Sequence, residues 1–317
     1  MLTEILEKGK KILAEKDFSL LLEGVETGFV LKNNRTIFEK YTFRQQAIDA
    51  QTPDLTCEVL GVTLATPIIM SAMTMPIPAI VTDGLIETAE GLKAAGSLMW
   101  TGTPVPSDLK ALVETGVPVV STVKPFSDRK IIFKAVDEIQ KAGVKWVGIE
   151  VDVGWGTKIK DRAVVSDCAP LSLAELKELK KAVDRPFILK GILSLEDAEK
   201  AVDIGADGIV LSNHGAHTLD YLPHPFQVMD EIVEAVEGDT EIIVDGGFRR
   251  GSDVLKGLAF GASLVGLGRP ILYALAADGR EGVTNLIQEM TNELSRILGM
   301  VGAKNTRDVR RGILIEE

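Results

Sequence analysis

Among 317 residues, acidic side chains outnumber basic ones by 46 to 35, giving a formal net charge of −11. Such a surface repels phosphate backbones, so no nucleic-acid partner is expected, and any phosphate site must be a local concentration of donors working against the global field. At 45% hydrophobic residues the chain is long enough to bury a large core as one domain, and its two cysteines, in no metal-type spacing, argue against a disulfide framework or a structural metal site.

Residues 1–64 read as a helical extension leading into the rest of a single domain, 1–317. The opening stretch MLTEILEKGKKILAEKDF is charged and amphipathic and lacks the apolar centre of a signal peptide. No run approaches the length of a membrane span. A cytoplasmic protein without membrane contact is the expectation. The short extended piece CEVLGVTL (57–64) is placed to floor a barrel. From residue 65 onward, eight β-branched runs alternate with segments of helical period: 66–72, 96–102, 117–123, 145–151, 186–191, 207–212, 240–246 and 263–268. Most are apolar without alternation, as parallel strands buried on both faces are. Between them lie amphipathic stretches such as 171–183, opened by a capping box of Ser172 and Glu175, and 194–206. Residues 281–299 read as a long helix and 300–317 as a tail. Eight strand–helix units in series predict an α/β fold, a TIM (β/α)8 barrel over residues 65–300. An open doubly wound sheet is the rival, but no G-x-G-x-x-G follows the first strand.

In such a barrel the residues just after each strand line the active face. Here those ends bring Ala72, Met73 and Thr74, then Thr101, Thr122 and Lys124, then Glu150 and Asp152, Lys190, His214, Asp245, and finally Arg249 and Arg269. The loops after strands 7 and 8 carry the strongest signal. DGGFRRGSDV sets Gly246 and Gly247 just before a helix, and GLGRP repeats the theme with Gly268. Glycine lets backbone N–H groups approach an anion, and a helix N-terminus favours negative charge. Tight turns with surface arginines are the plain alternative. Lys190 ends a buried strand, where an ammonium is costly unless paired. It suits a Schiff-base nucleophile, a fixed charge for a developing anion, or a side chain snorkelling to solvent. His214 follows a strand, with Asp152 on the same predicted face; a carboxylate on one ring nitrogen would make the other a better base.

Together these residues resemble the FMN-dependent 2-hydroxy-acid oxidase and dehydrogenase family. The likeness is densest in FILKGILSLEDAEKAVDIGADGIVLSNHGAHTLD (187–220) and VDGGFRRGSDVLKGLAFGASLVGLGRP (244–270), and extends to EGVETGFVLKNNRTIF (23–38) and TPIIMSAMTM (66–75). The resemblance implies an FMN-dependent oxidoreductase acting on a small anionic substrate, with His214 as base, Asp152 as its partner and Lys190 at the flavin N1/O2 edge. It assigns the ribityl-phosphate arm to Asp245, Gly246, Gly247, Arg249, Gly268 and Arg269, and the flavin edge to Ala72, Met73 and Thr74. Thr101, Thr122 and Glu150 stand where the family has flavin-contacting residues. A homo-oligomer, commonly a tetramer, is also implied. Several positions depart from the family pattern. His217 occupies the place of the arginine that clamps the substrate carboxylate, Lys124 that of an active-site tyrosine, and Phe18 that of an N-terminal tyrosine. The second clamp arginine has Arg162 as its nearest counterpart, and the loop from Asp152 to Ser172 is short, which suggests an open mouth. Lys124 and His217 are then the candidates to hold a substrate anion as point charges. An FMN-dependent isomerase resembling type 2 isopentenyl diphosphate isomerase, and a non-catalytic flavin-binding protein, are the alternatives.

Overall fold

A computed structural model describes residues 2–16, 18, 22–236 and 238–317. Eight parallel strands form its centre: β1 (Ile68–Met70), β2 (Met99–Thr101), β3 (Val119–Val123), β4 (Trp146–Glu150), β5 (Phe187–Ile192), β6 (Gly208–Leu211), β7 (Glu241–Asp245) and β8 (Leu264–Leu267). From β2 to β8 each pairs with the next, and β8 returns to pair with β1. The ring closes between β1 and β2, where the Met70 N–H donates to Leu98 O at 3.1 Å and the Met73 N–H to Trp100 O at 3.0 Å. This is the expected (β/α)8 barrel, and nearly every strand residue is buried, as the unbroken apolar runs require.

Side chains fill the barrel from within. Ile69, Trp100, Val120, Trp146, Ile188 and Ile243 belong to one interior cluster, which continues into Val59, Val62 and Leu64 of the hairpin Cys57–Val59/Val62–Leu64. That hairpin floors the barrel as expected, and the Trp146 Nε1–H donates to Leu60 O at 3.0 Å to pin it. Burying each such side chain contributes roughly 1.5–3 kcal/mol, so the floor is held by packing more than by its single hydrogen bond. The outer helices bury one stripe each. Leu173–Ala182 starts at the capping box of Ser172 and Glu175, both halves of which form.

Three elements differ from the sequence reading. Helix Arg269–Met300 begins directly after β8 and is broken by non-helical backbone at Asp278 and Gly279; the predicted 281–299 helix is its second half. The predicted tail is ordered: Leu314–Glu316 pairs antiparallel with Tyr41–Phe43, so the lead-in contains a strand besides its helices Leu2–Glu15 and Phe29–Thr36. Finally, the segment after β4 is a hairpin, Thr157–Ile159/Arg162–Val165, seated on the mouth through Lys158 N to His217 O (2.8 Å) and Lys160 N to Gly24 O (2.9 Å). The short loop therefore does not leave the mouth open. Among the described residues no helix is long and apolar enough to cross a membrane, and no group of three or more His, Cys, Asp or Glu is placed to hold a metal ion.

Candidate active site

A cavity of about 290 Å3 opens at the C-terminal ends of the strands. A second cleft, of about 310 Å3, lies at the floor end near Cys57 and Arg307; it holds none of the predicted groups, and the chemistry belongs to the mouth.

The predicted base and its predicted partner meet there. His214 Nδ1 lies 2.9 Å from Asp152 Oδ2 and 3.2 Å from Lys190 Nζ. With Nδ1–H donated to the carboxylate, the Nε2 lone pair is left for the cavity. Two local irregularities make this possible. His214 adopts φ +54°, a left-handed conformation uncommon for a residue with a side chain, in the turn that follows β6. A bulge between Lys190 and Ile192 puts Gly191 at φ +98°, and a Cβ there would fall 2.2 Å from Asp152 Cγ. Glycine at 191 is what lets the carboxylate reach the imidazole. Lys190 is buried; burial works against its charge, but Asp152, Glu150 and Asp245 outweigh it and raise the ammonium above its ordinary range. Glu150 is buried too. Its desolvation is overcome by Lys124, Lys190 and His214, which hold the carboxyl well below the usual carboxylate range. Lys124 Nζ donates to Glu150 Oε2 at 2.8 Å, and Thr122 Oγ1 donates to Oε1 at 3.1 Å.

The anion cradle forms next to His214, at the ends of β7 and β8. Gly246 and Gly247 both have positive φ, and at Gly247 any Cβ would overlap Asn34 O. The turn is held from three directions. His224 Nε2–H donates to Gly246 O at 2.9 Å, Arg35 Nη1 donates to Gly247 O, and the Asp253 carboxylate accepts from Arg35 (2.9 Å) and from the Arg249 N–H (2.9 Å). Arg249 itself has no carboxylate at ion-pair distance among the described residues, and burial and the neighbouring Arg35 lower its pKa. Arg269, at the start of helix Arg269–Met300, reaches back to Gly215 O (2.9 Å) and Glu23 O (3.2 Å). In a chain of net charge −11, the cavity thus gathers five cationic side chains: Arg35, Lys124, Lys190, Arg249 and Arg269.

The predicted residues divide clearly. Ala72, Met73, Thr74, Lys124, Glu150, Lys190, His214, His217, Asp245, Gly246, Gly247, Arg249, Gly268 and Arg269 all line the cavity, and Asp152 touches it through His214. Thr101 does not: it lies on the Met99 face of its strand, toward the surrounding helices and away from Trp100, and its hydroxyl donates to Ser121 Oγ (2.9 Å). Thr122 also lies behind the wall and reaches the cavity only through Glu150. Arg162 is exposed on the mouth hairpin and Phe18 packs against the core, so neither supplies a clamp. The expectation of two cationic point charges is corrected as well. Burial, Arg269 and His214 push His217 down to about 3, so it is neutral, and Lys124 is already paired with Glu150. Sequence reasoning missed Asn34, Arg35, Asn213 and His224. Asn34 and Asn213 exchange two side-chain hydrogen bonds (2.9 and 2.7 Å) that tie the lead-in to the β6 loop. The segment 23–38 that carried part of the resemblance contains Asn34 and Arg35, and was the available signal.

These residues fit a group with a phosphate tail and a polar ring. A Cβ on Gly268, at the helix start, would meet nothing within 4 Å. Ser71 Oγ, in the cavity wall, is buried without a partner. The cradle supplies cations and backbone donors for a phosphate, and Lys190 a charge for the ring.

An anion cradle sharing one barrel mouth with a histidine–carboxylate pair is the layout of a flavin mononucleotide oxidoreductase. Comparison with known proteins agrees: the model of the family described as FMN-dependent dehydrogenase matches residues 9–166 and 157–316, and the chain belongs to that family. It is similar to glycolate oxidase 3 of Arabidopsis thaliana, 31% identical over 339 residues that cover 95% of this chain and 92% of that one. Glycolate oxidase of Spinacia oleracea is 29% identical with the same coverage. A crystal structure of mandelate oxidase superposes with a TM-score of 0.90 at 29% identity, over 100% of this chain and 98% of the other. The protein is an FMN-dependent oxidoreductase, and its relatives do not favour the isomerase alternative.

Proposed function

We propose that this enzyme oxidises a small 2-hydroxy acid to the 2-oxo acid, with His214 as the base. The observation that carries the reading is the 2.9 Å contact of His214 Nδ1 with Asp152 beside Lys190, in the same cavity as the Gly246–Gly247 turn and Arg269. The reaction removes two protons and two electrons from the substrate. Bound FMN supplies the two-electron acceptor. The protein's own residues do the rest. His214 takes a proton at Nε2, and Asp152 holds the tautomer and balances the imidazolium that forms. Lys190, kept charged by three carboxylates, offers fixed positive charge where negative charge develops. The mouth hairpin brings Ile159 and Val164 to the cavity wall and limits water around the base.

The test begins with the visible spectrum of the purified protein, followed by anaerobic addition of a panel of 2-hydroxy acids. A colourless protein that does not take up FMN ends the reading. His214→Ala is expected to keep its flavin and lose about 10²–10⁴-fold in turnover; retained turnover removes His214 from its role. The same reading includes a cytoplasmic homo-oligomer, supported by two cysteines left as free thiols and by the family likeness. Equilibrium sedimentation of the holoenzyme tests the second half.

A further inference from the structure

Three neighbouring strand ends carry one row of charges. Between β3 and β4 the register pairs Thr122 with Gly148 and Val123 with Ile149, which brings Lys124 level with Glu150. Between β4 and β5, Glu150 pairs directly with Lys190. Adjacent strands lie about 4.8 Å apart, so an ammonium, a carboxylate and a second ammonium stand side by side. All three are buried, at 8, 2 and 3% exposure, and all three line the cavity. A Cβ on Gly102 would come 3.6 Å from Glu150 Oε1, so the absence of a side chain there leaves the carboxylate accessible. In a ring of eight strands, β3–β5 lie across the mouth from the anion cradle after β7 and β8.

We propose that this row reads the imide edge of the flavin ring: Glu150 accepts from the ring N3–H, and Lys124 and Lys190 donate to the carbonyl oxygens on either side. The inference rests on the FMN assignment and deepens it. An imide presents acceptor, donor, acceptor in sequence, the reciprocal of donor, acceptor, donor. A plain carboxylate substrate has no donor for Glu150 and would meet its negative charge. Lys124 is therefore committed to the cofactor, which is why it does not replace the lost substrate clamp. The cradle at one end and the row at the other fix the ring's orientation without any contact to substrate.

The experiment reads binding and ionisation, not turnover. In the holoenzyme, the ring N3–H is followed through its visible absorption as pH rises. Glu150→Gln, which removes the carboxylate beside N3–H and leaves both ammoniums, is expected to lower that ionisation by about one to three pH units relative to wild type. Independently, 3-methyl-FMN lacks the proton. Reconstitution of flavin-stripped wild-type protein, followed by fluorescence quenching, is expected to show it binding about 10–100-fold more weakly than FMN. Equal affinity for the two flavins, or N3 ionising in Glu150→Gln as it does in wild type, overturns the row while leaving the cofactor in place. Failure to bind either flavin overturns the FMN assignment itself.

Discussion

Replacing Gly191 by alanine tests whether the Asp152–His214 contact drives the chemistry, without touching either residue. Gly191 sits at φ +98°, where a side chain costs roughly 1–2 kcal/mol. The larger effect is steric. The new Cβ would lie 2.2 Å from Asp152 Cγ, whereas carbons rest about 3.5–4.0 Å apart. Asp152 must retreat by on the order of 1 Å, which stretches its 2.9 Å contact with His214 Nδ1 past hydrogen-bond length. Misplacement of that size costs about 10²-fold in rate, or about 2.7 kcal/mol of transition-state stabilisation. The cradle is built from other loops, so flavin content stays near one per chain. The assay is kcat on the best hydroxy acid, with flavin occupancy by absorbance and a thermal melt on the same sample. Asp152→Asn provides the control: if the effect passes through Asp152, adding Gly191→Ala to that variant costs little more. A Gly191→Ala enzyme within about twofold of wild-type kcat, or one whose loss simply adds to that of Asp152→Asn, refutes the argument.

Arg249→Met removes the cradle arginine that has no protein carboxylate of its own; losing one charge-assisted hydrogen bond should weaken FMN about 10–100-fold by fluorescence titration, and unchanged affinity counts against a phosphate there. His224 gives a pH dependence of stability. Burial pushes its imidazole down to about 4, while the unfolded chain protonates near the ordinary imidazole value of 6.5. The unfolded state therefore binds the extra proton first, and the contribution of neutral His224, complete above pH 6.5, falls away toward pH 4, with about 2 kcal/mol gone by pH 5. Chemical denaturation of His224→Gln at pH 7.5 and 5 should show that much less loss than wild type; parallel losses would mean that His224 does not titrate on unfolding.

How much of this was legible in the sequence follows from how local each signal is. The barrel strands were legible because burial on both faces leaves apolar runs without alternation such as Val117–Val120. The cradle was legible because two glycines before a helix with a nearby arginine is a local pattern. Arg35 and His224 were not, since they reach the Gly246–Gly247 turn from far along the chain, and nothing local marks that approach. Thr101 shows the limit of reading strand ends: a side chain at the last strand residue points toward the barrel axis or toward the outer helices according to pleat, and here it bonds Ser121 on the helix-facing side. TKIKDRAVV gave no strand signal because its charges hide the alternation, yet it forms the mouth hairpin. The charge state of His217 and the pairing of Lys124 depend on three-dimensional neighbours, so their identity alone suggested cations that the fold neutralises or ties up.

The pairing of Tyr41–Phe43 with Leu314–Glu316 also sets an order of events at synthesis. Arg35 and Asn34 are made early, on the helix just before the first of these strands, but the strand's hydrogen-bonding mate emerges only after every barrel strand. A nascent chain can therefore complete its ring while the segment carrying Arg35 still lacks its clasp. Until that strand arrives, the helix carrying Arg35 is held at the glycine turn by its own bonds to Asn213, Gly247 and Asp253.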